Sequence, residues 1–162
     1  MAIHKIDGVD AVDGGSVINS FPKKFVTLEC SLAASASITK GSWVQIDEAY
    51  TTNGIGSGVK TSTANGVDMV FGVATETVTN SSSVTATFQI KIQTAGKCTF
   101  AKVDVSETSA TERSLSGHSG AGDGIADHYA AGDLNSICGV VLSEGADDTA
   151  VSTVMIIDQG YF

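Results

Sequence analysis

The sequence predicts a mainly-β fold, a small β-barrel or β-tulip-like domain, on three observations. Glycine occurs 18 times against a single proline. Serine and threonine supply 36 of the 162 residues, a balance that suits extended strands and frequent turns and disfavours helices. The third observation is local. Across residues 84–93, Val84, Ala86, Phe88, Ile90 and Ile92 alternate without a break against Thr85, Thr87, Gln89, Lys91 and Gln93. A period of two is what a strand with one buried face requires. A chain of this length holds one domain and can bury an apolar core.

Residues 1–24 read as an N-terminal arm, and residues 25–162 as the β domain. The arm is mixed in pattern, is interrupted by Gly14-Gly15, and ends at Phe21-Pro22-Lys23-Lys24, which leads into a strand. Its apolar residues Ile3, Ile6, Val9, Val12, Val17, Ile18 and Phe21 have no long helix or strand within the arm to bury them. They are candidate contacts to a neighbouring subunit, with the arm extended along a neighbour's sheet edge. The alternative is that the arm supplies the barrel's own first strand.

In residues 25–30, Val26, Leu28 and Cys30 alternate with Phe25, Thr27 and Glu29, and a second short strand at 43–47 follows a Lys40-Gly41 turn. Residues 51–66 are loop or hairpin, with Gly54, Gly56 and Gly58 at alternate positions and a turn-forming Asn65-Gly66 pair. The strand at 84–93 runs on past Gly96 through Cys98 and Phe100. Its apolar phase then slips by one at Ala101, Val103 and Val105, which predicts a bulge or bend. Ser109-Ala110-Thr111-Glu112 has capping-box spacing and predicts a short helix near 108–115. Beyond it, four glycines between 117 and 124 and few large apolar groups mark residues 106–133 as an exposed, Gly/Asp-rich insertion, dispensable for folding. Strands return at 137–142 and 151–157, joined by a turn at 145–148. Tyr161 and Phe162 close the chain, and a core or a subunit interface should absorb them.

One layout occurs twice. Phe71-Gly72-Val73-Ala74 leads through a polar turn and an apolar strand to Gly96. Cys138-Gly139-Val140-Val141 leads through Asp147-Asp148 and an apolar strand to Gly160. The spacing is too long for a solenoid repeat and fits two hairpins of one barrel or sandwich.

A formal charge of −9 with a single arginine lacks the basic footprint that phosphate backbones demand, so nucleic acid is not an expected partner. No apolar run reaches the ~20 residues of a membrane span, and the charged first ten residues do not resemble a signal peptide, so synthesis in a cytoplasm is expected. Cys30, Cys98 and Cys138 lie far apart in apolar stretches and read as buried small hydrophobes. No cofactor and no metal is expected. His118 and His128 with Asp123, Asp127 and Asp133 match neither a calcium loop nor a helical His pair, and read as a solvated loop. Gly117-His118-Ser119-Gly120-Ala121 misses a nucleophile elbow by one residue and has no strand and helix around it. A serine hydrolase using Ser119 with His118 or His128 is thus a competing reading, and no enzyme is expected. Asn80-Ser81-Ser82 matches a glycosylation sequon and is read as a turn. Trp43, Phe71, Phe88 and Phe100 are assigned to the core.

Lys40-Gly41 before a strand, the long Gly/Thr/Lys loop, Val70-Phe71-Gly72-Val73-Ala74 and the strand ending at Gly96 together resemble the small capsid decoration proteins of tailed phages, over residues 38–105. The stretch from Ala130-Ala131-Gly132-Asp133 through Cys138-Gly139-Val140-Val141 to Ile156-Ile157-Asp158 is similar to the lambda-type head decoration proteins. The resemblance implies a homotrimer on the capsid exterior that holds neighbouring major capsid proteins together, with no catalytic residue to carry over. The arm and the insertion depart from the shortest members. Another virion part, such as a head fibre, tail or spike subunit, would share this composition. With so few basic residues, the expected grip on a capsid is apolar and tolerant of salt, through the arm residues Ile3, Ile6, Val9, Val12, Val17, Ile18 and Phe21 and the terminal Tyr161 and Phe162 as capsid or subunit contacts.

Overall fold

The computed structural model describes residues 3–6, 9–12, 22–50, 58–63, 70–104, 114–116, 123–128, 137–143, 145–146 and 151–159. Among them the chain forms strands and no helix: β1 (Ile3–Ile6), β2 (Val9–Val12), β3 (Lys24–Leu32), β4 (Ser37–Ile38), β5 (Trp43–Ile46), β6 (Val59–Thr61), β7 (Val70–Ala74), β8 (Val78–Thr79), β9 (Ala86–Lys102), β10 (Ser114–Ser116), β11 (Asp127–His128), β12 (Ile137–Ser143) and β13 (Val151–Ile156). The mainly-β, barrel-like prediction holds: one antiparallel sheet curls into a half-barrel, in the order β11-β10-β12-β13-β9-β7-β5-β6, with β3 also on β9.

The long alternating run becomes the spine. β9 pairs with β3 along its first half, from Leu32↔Ala86 to Lys24↔Ala95, and with β13 along its second, from Ile156↔Gly96 to Val151↔Lys102. Such a strand must bend, and two bulges bend it. Lys24 and Phe25 face Ala95 and Gln93, which leaves one extra residue on β9. At Gly96 φ is +83°, and a Cβ there would lie 2.6 Å from the Pro22 carbonyl oxygen, so glycine is required. The buried Gln93 amide holds this bend, its Nε2 donating to the carbonyls of Ala95 (3.0 Å) and Lys97 (3.1 Å). The second bulge lies where Ser152 and Val154 face Ala101 and Cys98. It is the predicted phase slip, and it turns both Cys98 and Ala101 into the core.

β5 and β7 form a wall buried on both faces. Val44, Phe71 and Ala74 pack into one core with Cys30, Ile90 and Ile92, while Trp43, Val70 and Val73 pack into another with Cys98, Leu115, Cys138, Val154 and Ile156. Neighbouring residues of a strand point to opposite faces, so Trp43 and Val44, and Val73 and Ala74, divide between the cores, while the bulge where Val44 and Gln45 face Gly72 and Val70 shifts the phase and puts Val70 on the side of Val73. A strand covered on both faces reads as continuously apolar, as residues 70–74 do. β7 also crosses β9 closely. A Cβ on Gly72 would sit 2.6 Å from both the Gln93 carbonyl oxygen and Ile92 Cγ2.

Both ends of the sheet return to its middle. Glu29 of β3 forms a parallel bridge with Gly58 beside β6, and Val103 just after β9 forms one with Ala126 beside β11. Asp104 N donates to Ala126 O at 2.8 Å, and Ala126 N donates to Lys102 O at 3.1 Å. Free strand edges template aggregation, and each bridge covers one point of such an edge. Of the repeated layout, β12 and β13 form a hairpin, whereas β7 and β9 are antiparallel neighbours with β8, which pairs with β4, between them in the chain. β6 lies within the predicted loop or hairpin 51–66 and pairs with β5.

Three expectations need correction. The 106–133 segment is not wholly an exposed insertion: β10 pairs with β12, β11 pairs with β10, and Leu115 and Ala126 are fully buried. Leu115 and Ala126 belong to the core of Trp43, Cys98 and Cys138, so a Gly/Asp-rich composition still yields core residues. The predicted helix near 108–115 fails at Ser114 and Leu115, which are strand because Leu115 pairs with Gly139; its earlier residues lie outside the described ones. The arm is not one extended segment over residues 3–12. β1 and β2 pair with each other, Ile3↔Val12 and Ile6↔Val9, in a sheet of their own.

Candidate interaction surface

The distribution of exposed apolar side chains picks out one surface. Six large hydrophobic side chains are exposed among the described residues, and four of them, Ile137, Leu142, Val151 and Ile157, belong to the β12–β13 hairpin or its immediate end. Val151 is 53% exposed. Between these ends lie half-buried Val140 and Met155, which face each other across the strands. The register extends this pair into a row, Lys97–Met155–Val140–Ser114, across β9, β13, β12 and β10. The intervening Val141, Val154 and Ile156 point into the core. The hairpin therefore carries apolar groups on both faces, and only one face is covered by the domain.

The ends of this surface are fixed by polar contacts. Ile157 N donates to Cys138 O at 3.0 Å, and Gln159 Nε2 donates to Ile137 O at 2.9 Å. Lys24 Nζ is bonded to the Asp158 carboxylate, which ties the first residue of β3 to the end of β13. The arm thus joins the domain beside Ile157. Of the predicted contact residues, Ile3, Ile6, Val9 and Val12 are placed in β1 and β2, while Val17, Ile18, Phe21, Tyr161 and Phe162 lie outside the described residues.

Elsewhere the chemistry-bearing groups serve the fold. Asn80 is fully buried; its Nδ2 donates to the carbonyls of Leu32, Ala33 and Val84, and its Oδ1 accepts from Ser82 N and Oγ. The sequon is the predicted turn, with its amide consumed. Lys102 Nζ donates to Thr39 Oγ1 beside Ser42. His128 is buried in β11 and Asp127 half-buried, so these two are not part of a solvated loop; His118, Ser119 and Asp133 lie outside the described residues. No group of three His, Cys, Asp or Glu among the described residues is placed to hold a metal ion.

All three cysteines are free and buried, as expected. Burial pushes the Cys30 thiol up to about 11, and raises Cys98 and Cys138 as well. These thiols are packing groups rather than nucleophiles. Trp43 and Phe71 are core, and Phe88 and Phe100 pack against the two cores half-buried.

No family model matches this chain, and no curated protein or solved structure matches it either. The surface itself had a signal in the sequence. Val151, Met155 and Ile157 share one parity of β13, and Val154 and Ile156 the other, so one apolar set had to face away from the core.

Proposed function

We propose that this chain is a structural virion protein that decorates the outside of a tailed-phage capsid and stabilises it by bridging major capsid proteins. The observation that carries the reading is the resemblance of residues 38–105 to capsid decoration proteins. Three features support it. The resembling residues contain β5, β7 and β9, the wall and spine of the domain, so the resemblance falls on structure that organises the whole. The β12–β13 hairpin presents exposed Ile137, Leu142, Val151 and Ile157, an apolar face suited to adhesion. A formal charge of −9 suits a position outside a DNA-filled shell better than one against the packaged nucleic acid.

In this role the protein acts by adhesion, and its chemistry is that of an interface: apolar anchors with a polar rim. The test is co-sedimentation of the purified chain with DNA-filled tailed-phage heads stripped of their decoration protein, at low and at high salt. Saturable binding that persists at high salt is the expected result. Absence of binding, or binding that collapses as salt rises, would overturn the reading.

A further inference from the structure

We propose that residues 123–128 form a releasable strap, which joins the two ends of the curled sheet and leaves its seat as one unit while both cores stay folded. The strap is independent of the capsid role.

The seat is built of backbone. Gly124 N donates to Ser62 O at 2.8 Å, and Gly124 O accepts from Trp43 N at 2.9 Å, which ties the strap to β5 and to the end of β6. Two residues on, Ala126 N donates to Lys102 O at 3.1 Å and Ala126 O accepts from Asp104 N at 2.8 Å, which ties it to the end of β9. β11 then pairs with β10. Because β6 and β11 stand at opposite ends of the sheet order, these bonds join its ends. Gly124 has a φ of +75°, and a Cβ there would lie 2.8 Å from Ser42 Cβ, so this point of the seat requires glycine.

The seat is more polar than the rest of the interior. Of the ten buried polar residues among the described ones, Ser42, Ser62, Asp104, Ser116 and His128 lie in the strap or against it. The strap in turn gives little to the cores: Ala126 belongs to one of them through a single methyl group, and Ile125 is half-buried. Ser62 Oγ is buried at the seat with no hydrogen-bond partner among the described residues, and such a hydroxyl regains solvation when the strap leaves. By contrast, β3 and β9 share nine paired positions beside the core of Cys30, Ile90 and Ile92. Proteins open locally where few apolar contacts are lost, and the strap is that place here. Its release uncovers the donors Trp43 N and Asp104 N and the acceptors Ser62 O and Lys102 O, the kind of groups that hold an extended segment.

Hydrogen exchange of the full chain, read residue by residue by NMR in urea below the unfolding transition, tests the strap. The Trp43, Asp104, Gly124 and Ala126 amides should exchange about tenfold or more faster than the protected amides of β3 and β9, through one opening with a small urea dependence. Ile90→Val weakens the other core, so it should speed the β3 and β9 amides about fivefold and leave the four strap amides unchanged. Gly124→Ala should strip protection from Trp43, Asp104 and Ala126 while β3 and β9 remain protected. Strap amides that follow β3 and β9 in rate and urea dependence, or that speed with them in Ile90→Val, would overturn the proposal. So would a Gly124→Ala chain that fails to fold, because the cores would then depend on the strap.

Discussion

Leu115 is the sharpest test of the architecture, because the sequence places it at the end of a short helix in an exposed insertion and the structure makes it a core strand residue. The side chain is fully buried against Trp43, Cys138, Val154 and Ile156, and its backbone pairs with His128 and Gly139. Leu115→Ala removes three carbons from this core, about 2.4 kcal/mol of transfer free energy at ~0.8 kcal/mol per group. The cavity that remains adds to this, since backbone on both sides of β10 is held by strand pairing and cannot collapse freely. A total of about 3–4 kcal/mol is expected, within the range seen for buried leucines. Domains of this size have roughly 5–15 kcal/mol in all, so the variant stays folded but loses roughly 10 °C of melting temperature. Trp43 is the sole tryptophan and lies in the same core, so its fluorescence during urea unfolding reports the change directly. Val84→Ala, at a position 65% exposed, is the control and should stay within about 0.5 kcal/mol. If Leu115→Ala is as mild as that control, residues 114–116 are not part of the core and the corrected reading of the segment is wrong.

Two further outcomes follow from the strand crossings and the thiols. Gly72→Ala should destabilise by about 1–3 kcal/mol, because the added methyl meets the Gln93 carbonyl oxygen at 2.6 Å and backbone cannot move aside; thermal unfolding checks the sign, and a gain in stability would show the crossing to be looser. The Cys30 thiol is raised from 9.0 to about 11, so its contribution is complete below pH 9 and is lost as pH rises through 11; urea unfolding of the chain against Cys30→Val should show this steeper alkaline decline, and equal decline in both would refute it.

How far the sequence carries is set by which interactions are local. The alternation along residues 84–93 depends on neighbours in the chain and one covered face, so β9 and its later phase slip were legible. Residues 70–74 were legible as apolar but not as a wall between two cores, because continuous burial does not say what covers each face. The bend at Gly96 depends on Pro22, more than 70 residues away, and on the Gln93 amide, which alternation assigns to the solvent side. Composition misled at residues 106–133. Entropy arguments treat a Gly- and Asp-rich segment as a whole, whereas Leu115, Ala126 and His128 are buried one by one through pairing with β12 and the bridge at Val103.

The candidate surface follows the same logic and shows why a face, not an edge, is what this fold offers. A curled sheet with free ends would expose rows of unpaired N–H and C=O groups, and association would then be open-ended. Here Glu29 and Val103 bridge back to Gly58 and Ala126, which interrupts those rows at one point each. What the fold leaves uncovered is side chain rather than backbone: the outward parity of β12 and β13, whose inward parity completes the second core. Both parities are apolar, so the hairpin is built to be covered twice, once by its own domain and once by something else. The bond from Lys24 to Asp158 brings the arm's point of departure to the end of that hairpin. A chain that keeps one apolar face and starts its arm beside it has parts suited to directional assembly, which the proposed capsid role would require.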